Sequence, residues 1–210
     1  MSTYLKICGI RRPEDVAYLN ACPPDYAGFI CTPGYRRSVS VGTLRELCRP
    51  MELKIVRVGV FVDPVWDEIA PFEPYLDILQ LHGNESPALI AEIRAEAPEA
   101  GIWKAVRVRT AEDIRRADAL DVDALVLDSF SAECAGGTGT LAPWDIIAQN
   151  RPEKPFFLAG GITPENVQEA VRAVQPYGVD ASSSLETDGC KDAEKIRRMA
   201  AAVKGGVHEL

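Results

Sequence analysis

The chain reads as an α/β fold, a single-domain (β/α)8 barrel of the TIM-barrel type spanning residues 1–210. Three observations predict it. Short runs rich in β-branched and aromatic residues recur eight times along the chain. Each run is followed by a helical or helix-like segment. Most runs are apolar on both sides of the chain, as strands covered by helices must be. Eight such units fit a closed ring better than an open doubly wound sheet, which is the structural alternative. The 210 residues suffice for one domain with a substantial core, at the short end for a barrel without large insertions. No low-complexity linker or shift in composition marks a second domain, and the tail Gly205-Gly206-Val207-His208-Glu209-Leu210 reads as a fraying end.

In chain order the expected strands are Tyr4–Cys8, Tyr26–Cys31, Ile55–Phe61, Ile78–Leu81, Trp103–Val108, Ala124–Leu127, Pro155–Leu158 and Gly178–Ala181. Helix starts are signalled between them. Pro13-Glu14-Asp15 places a proline and two acids in a first turn, and Thr163-Pro164-Glu165 repeats that logic behind a capping threonine. Thr110, three residues before Asp113, offers a variant of the capping box. Apolar residues such as Trp66 and Phe72 serve either helix packing or an interface, so monomer and homodimer both stay open.

Composition narrows the function. A net charge of −8 argues against nucleic acid as a partner, because a phosphate backbone needs a basic face to displace its counterions. A phosphorylated ligand would have to be recruited locally, through backbone N–H groups and one or two arginines, against an unhelpful overall field. The six cysteines form no C-x-x-C pair and the chain shows neither a signal peptide nor a long apolar run, so reduced thiols in the cytoplasm and no membrane association are expected. Two histidines, His82 and His208, are too few for a metal site built on imidazoles, and none is expected.

A parallel barrel builds its active site at the carboxyl ends of the strands. The first strand ends in Cys8 and the sixth runs out into Asp128. Taken singly, Cys8 is a small buried hydrophobe and Asp128 a cap on the following turn. Together, across the mouth of one barrel, they suit an isomerase, in which one group removes a proton and another donates one. A free thiol, with a pKa near 8.5, is only partly ionised at neutral pH, so its site must favour the thiolate or supply another acceptor.

Three glycine- or serine-rich loops point to phosphate. Gly136-Gly137-Thr138-Gly139 follows the sixth strand, Gly160-Gly161 the seventh and Ser182-Ser183-Ser184 the eighth. Glycines let the backbone approach a phosphate with its N–H groups exposed, and the loops after strands seven and eight are the recurrent phosphate site of this architecture. Ser183-Ser184-Leu185-Glu186 reads as a capping box opening a short extra helix there. Gly137-Thr138-Gly139-Thr140-Leu141-Ala142 also matches a dinucleotide-binding pattern, but it does not directly follow a strand, and no acid ends the next strand, so that reading fails.

With these residues in view, the chain resembles the phosphoribosylanthranilate isomerase family. Lys6-Ile7-Cys8-Gly9-Ile10, Gly28-Phe29-Ile30, Gln80-Leu81-His82-Gly83, Leu127-Asp128-Ser129, Gly136-Gly137-Thr138-Gly139, Ala159 to Val167 and Val179-Asp180-Ala181-Ser182-Ser183 fall in the family's order over nearly the whole chain. The resemblance implies a cofactor-free Amadori rearrangement of N-(5-phosphoribosyl)anthranilate in tryptophan biosynthesis. It implies Cys8 as the base at sugar C2 and Asp128 as the acid at the ring oxygen. It places Arg37 near the anthranilate carboxylate, a planar anion a guanidinium binds bidentately, and Asp180 near the anthranilate nitrogen. His82 is carried over either as a substrate contact or as a tie between loops. Tyr35-Arg36-Arg37 departs from the family's Ser-Pro-Arg and leaves open which arginine faces the ligand.

Rivals of the same architecture fare worse. A metal-dependent epimerase needs more imidazole ligands, indoleglycerol-phosphate synthase wants a lysine where the third strand runs out into Val62-Asp63-Pro64, and the histidine-pathway isomerase has a carboxylate where Cys8 stands. A catalytically silent phosphosugar-binding barrel remains the alternative from another class, although binding alone requires neither Cys8 nor Asp128.

Overall fold

A computed structural model describes residues 3–129 and 143–205, and in it the eight expected strands close into one parallel barrel in sequence order. The strands are β1 Tyr4–Cys8, β2 Tyr26–Ile30, β3 Val56–Phe61, β4 Ile78–Leu81, β5 Gly101–Arg107, β6 Ala124–Asp128, β7 Phe156–Ala159 and β8 Gly178–Ala181. The helices are α1 Pro13–Ala21, α2 Val41–Cys48, α3 Trp66–Ile69, α4 Pro87–Glu96, α5 Ala111–Asp118, α6 Pro143–Gln149, α7 Val167–Val174 and α8 Ala193–Gly205. Where strand ends differ from expectation, they differ by one or two residues, because polarity marks side chains while the ladder follows backbone bonding. β6 thus includes Asp128, which pairs with Arg107 on one side and Ala159 on the other.

Alternation along the strands divides the core in two. One set of side chains, Leu5, Ile7, Ala27, Phe29, Leu79, Leu81, Leu125 and Leu127 among them, packs outward against the helices. The other set points into the barrel. Its amino-terminal half is plugged by Tyr4, Tyr26, Trp103 and Phe157, with Val58, Ile78 and Val126. Trp103 and Phe157 lie 4.6 Å apart by ring centroid, and Tyr26 meets them at 5.1 and 5.2 Å. Burying each such ring stabilises the fold by about 1.5–3 kcal/mol. Phe72 is buried and Trp66 packs on the same core, so both serve helix packing.

The helix signals hold in part. α1 starts at Pro13, and Asp15 accepts from the Arg11 and Arg12 backbone at 3.1 Å each. Thr110 and Asp113 exchange the two capping-box hydrogen bonds ahead of α5. Thr163 instead caps a turn that precedes α7: its Oγ1 accepts from Glu165 and Asn166, and the helix begins at Val167. The expected extra helix after β8 is a correction. Only one 3₁₀ turn forms, Ser183–Leu185, and Glu186 then opens an antiparallel hairpin, β9 Glu186–Thr187 with β10 Cys190–Lys191. Asp188 and Gly189, both at positive φ, make its two-residue turn. The Glu186 carboxylate cannot cap because three cations hold it elsewhere.

Candidate active site

β1 carries the first group. Cys8 ends the strand at the barrel mouth, two residues beyond Lys6 on the same inward face. Lys6 is fully buried and its Nζ donates to Asp180 Oδ2 on β8 at 2.9 Å. Burial pulls the Lys6 ammonium down, but Asp180 and then Cys8 outweigh it, so its pKa stands above the ordinary lysine value. A Cβ on Gly28 would lie 2.7 Å from Cys8 Sγ and 3.1 Å from Lys6 Nζ, which is why β2 carries glycine there. Asp180 Oδ1 is buried and has no hydrogen-bond partner among the described residues.

The loop after β2 returns to the barrel through the Ile30–Ser38 bridge and a Val39 N–H to Ile30 carbonyl bond of 2.9 Å. This carries Arg37 to the mouth, where Nη1 donates to Ser182 Oγ at 2.6 Å and Glu186 Oε1 at 2.7 Å. Ser182 Oγ in turn donates to the Cys8 carbonyl at 3.0 Å. Arg36 reaches outward to Glu186 Oε2 and is more than half exposed, at 58% against 21% for Arg37. Of the two arginines, Arg37 is therefore the one beside Cys8.

On the far side, His82 follows β4 and Gln80 Nε2 lies 3.2 Å from its Nδ1. His82 is exposed at the mouth, yet the protein enclosing the ring lowers its pKa, and the Lys6 ammonium lowers it further, leaving a neutral imidazole at neutral pH. Behind it the buried Lys104 pairs with Glu85 at 2.9 Å and donates to the Gly83 carbonyl at 2.8 Å, fixing that loop. A groove of about 970 Å³ opens here among His82, Gly83, Arg107 and Asp128. The next residue, Ser129, is clamped between the Ala159 carbonyl at 2.9 Å and the Trp144 indole N–H at 3.1 Å, which pins the end of β6.

Gly160 and Gly161 both adopt positive φ after β7, and Asn166 Nδ2 holds the Gly161 carbonyl at 2.9 Å. Ser184 Oγ donates to the Ile162 carbonyl at 2.5 Å, so the loops after β7 and β8 are joined beside Ser182 and Ser183. Gly136, Gly137, Thr138 and Gly139 lie outside the described residues. Among the described residues no three His, Cys, Asp or Glu side chains gather to hold a metal ion.

Cys8, Arg37, His82, Asp128, Asp180, Gly160, Gly161, Ser182 and Ser183 thus all sit at one end of the barrel. Sequence reasoning assigned no role to Lys6 and Lys191 and read Glu186 only as a helix cap. Lys6 was readable as a lysine on the inward parity of β1, and the hairpin bearing Glu186 and Lys191 as an Asp-Gly turn.

Fold and site define a barrel enzyme of the phosphosugar-isomerase class. The profile described as N-(5'phosphoribosyl)anthranilate (PRA) isomerase matches residues 5–202, and the chain belongs to that family, the aldose–ketose isomerases of tryptophan biosynthesis. It is 42% identical to N-(5'-phosphoribosyl)anthranilate isomerase of Acetivibrio thermocellus, over 98% of this chain and 99% of that one. The enzyme of Caldanaerobacter subterraneus is 37% identical over 97% and 98%. Among solved structures, phosphoribosyl anthranilate isomerase from Thermotoga maritima superposes with a TM-score of 0.84 at 32% identity, covering 97% of this chain and 99% of that one. Another, solved with reduced 1-(o-carboxyphenylamino)-1-deoxyribulose 5-phosphate, gives 0.82 at 30% identity, covering 97% and 99%.

Proposed function

We propose that this single barrel domain rearranges N-(5-phosphoribosyl)anthranilate to 1-(2-carboxyphenylamino)-1-deoxyribulose 5-phosphate with Cys8 as general base and Asp128 as general acid. The observation that carries the assignment is the placement of Cys8 at the mouth against the Lys6 ammonium, with Asp128 ending β6 across from it. A positive neighbour is what a thiolate needs. In this reading Asp128 protonates the ring oxygen, the furanose opens, and Cys8 removes the proton from C2. The loops at Gly160-Gly161 and Ser182-Ser183, with Gly136 to Gly139, hold the phosphate through backbone N–H groups. Arg37 takes the anthranilate carboxylate. Asp180 Oδ1, which has no partner among the described residues, accepts from the anthranilate nitrogen, and the neutral His82 offers its imidazole at the mouth.

No cofactor enters this chemistry. A cytoplasmic setting suits the thiols at Cys8, Cys22, Cys31, Cys48 and Cys190, all free. Among the described residues no helix is long and apolar enough to cross a membrane. Monomer and homodimer both fit; a relative from Thermotoga maritima is described as dimeric, with monomers generated from it.

The test is the fluorescence decay of freshly generated phosphoribosylanthranilate with wild type, Cys8→Ser and Asp128→Asn, each checked for folding by near-UV circular dichroism. Each folded variant is expected to lose about 10²–10⁴-fold in kcat. A wild-type chain that binds the substrate without turning it over would instead be a silent barrel.

A further inference from the structure

We propose that Glu186 is a positioning residue for substrate recognition, holding Arg37 so that its guanidinium offers the Nε–Nη2 edge to the carboxylate on the substrate's aromatic amine. The proposal rests on the assignment of Arg37 to that carboxylate.

Glu186 opens the small β9–β10 hairpin and its side chain is 6% exposed. Oε1 accepts from Arg37 Nη1 at 2.7 Å and Lys191 Nζ at 3.1 Å, and Oε2 accepts from Arg36 Nη2 at 2.7 Å. The hairpin is tied from the other side as well. Arg11 Nη2 donates to the Gly189 carbonyl at 3.1 Å and Arg12 Nη2 to the Lys191 carbonyl at 3.3 Å. The loops after β1 and β2 therefore grip it with four arginines, and Lys191 anchors it to the Ser182 carbonyl at 2.9 Å.

Two features of this cluster point to a ligand. Three cations share one carboxylate, so the cluster keeps a positive excess beside the mouth. The Arg37 hydrogen bonds all leave from Nη1, and its Nε–Nη2 edge has no partner among the described residues. That edge is the one a planar carboxylate engages bidentately. Glu186 and Ser182 thus fix one side of the guanidinium and present the other.

The measurement compares two competitive inhibitors: reduced 1-(o-carboxyphenylamino)-1-deoxyribulose 5-phosphate and its counterpart made with aniline, which lacks the carboxylate. Their affinity ratio reads the carboxylate alone. It is expected at about 10- to 100-fold in wild type and should collapse in Arg37→Ala. Glu186→Gln and the shorter Glu186→Asp should each cut it by about tenfold, with affinity for the aniline compound kept. Arg36→Ala, at an exposed site, should leave it within about twofold. A ratio that rises in Glu186→Gln would mean that Glu186 only neutralises the cluster, and would overturn the proposal. So would an unchanged ratio in both Glu186 variants alongside a collapse in Arg37→Ala, or a collapse in Arg36→Ala. An unchanged ratio in Arg37→Ala would remove the assignment of Arg37, and this proposal with it.

Discussion

The two ends of the barrel are made from the same eight strands and share almost nothing else. Along β1, Tyr4, Lys6 and Cys8 all face inward, each roughly 6.6 Å beyond the last. Tyr4 belongs to the aromatic plug, Lys6 to a buried ion pair with Asp180, and Cys8 to the mouth. On β7, Phe157 lies beside Trp103 at the bottom, while the strand end after it leads to Gly160 and Gly161. One end excludes water with rings in contact. The other keeps charged groups at distances that only its loops and ion pairs enforce. Stability and chemistry are thus separated by a few residues of strand, which lets the mouth carry polar atoms that have no partner among the described residues, such as Asp180 Oδ1, without unfolding the protein.

The sharpest way to break that division is Phe157→Ala. It removes a ring that touches Tyr26, Trp103 and Tyr177 and should destabilise the fold by about 3–5 kcal/mol in urea unfolding. Activity per folded molecule should stay near wild type. A large drop in kcat at low temperature, with the protein still folded, would show that the plug also shapes the mouth.

Lys6 is where the two ends meet, and it gives a somewhat smaller effect of both kinds. Lys6→Met leaves the buried Asp180 carboxyl without its cation, at a cost of about 3 kcal/mol. It also removes the cation beside Cys8, so kcat/KM should fall in the variant that remains folded. Replacing Asp180 by Leu in the same chain should recover much of the stability and none of the activity. Recovery of both would make the pair purely structural.

These positions also show why some of the molecule could be read in advance. The strands were legible because eight covered strands leave eight apolar runs, and Cys8 and Asp128 because polar residues ending such runs mark the mouth. Lys6 escaped because a lysine within a strand reads as a surface residue, and only inward parity with Tyr4 and Cys8 places it inside. Ser183 to Glu186 misled because a capping box is a local pattern. Here the Glu186 carboxylate is claimed by Arg36 and Arg37, about 150 residues away, a contact no local pattern encodes. The choice between Arg36 and Arg37 likewise needed the hairpin, which holds Arg36 outside and leaves Arg37 beside Cys8.

Glu186 supplies the smallest effect and sharpens the comparison within the mouth itself. Although burial raises it, its hydrogen bonds to Arg36, Arg37 and Lys191 hold the carboxyl at about 2, below its usual value of 4.5. A depressed carboxylate stabilises the fold above its unfolded value and loses that contribution as pH falls through its folded one. Between pH 4.5 and about 2 the folded protein should therefore weaken by on the order of 1 kcal/mol through this group, once solvent screening of the half-open hairpin is allowed for. Glu186→Gln should flatten that limb of the unfolding curve while leaving its neutral plateau in shape. The aromatic plug has no such group, so Phe157→Ala should lower the whole curve in parallel. An acid limb unchanged in Glu186→Gln would mean that other carboxylates govern acid stability and that the hairpin cluster contributes to recognition without contributing to the fold.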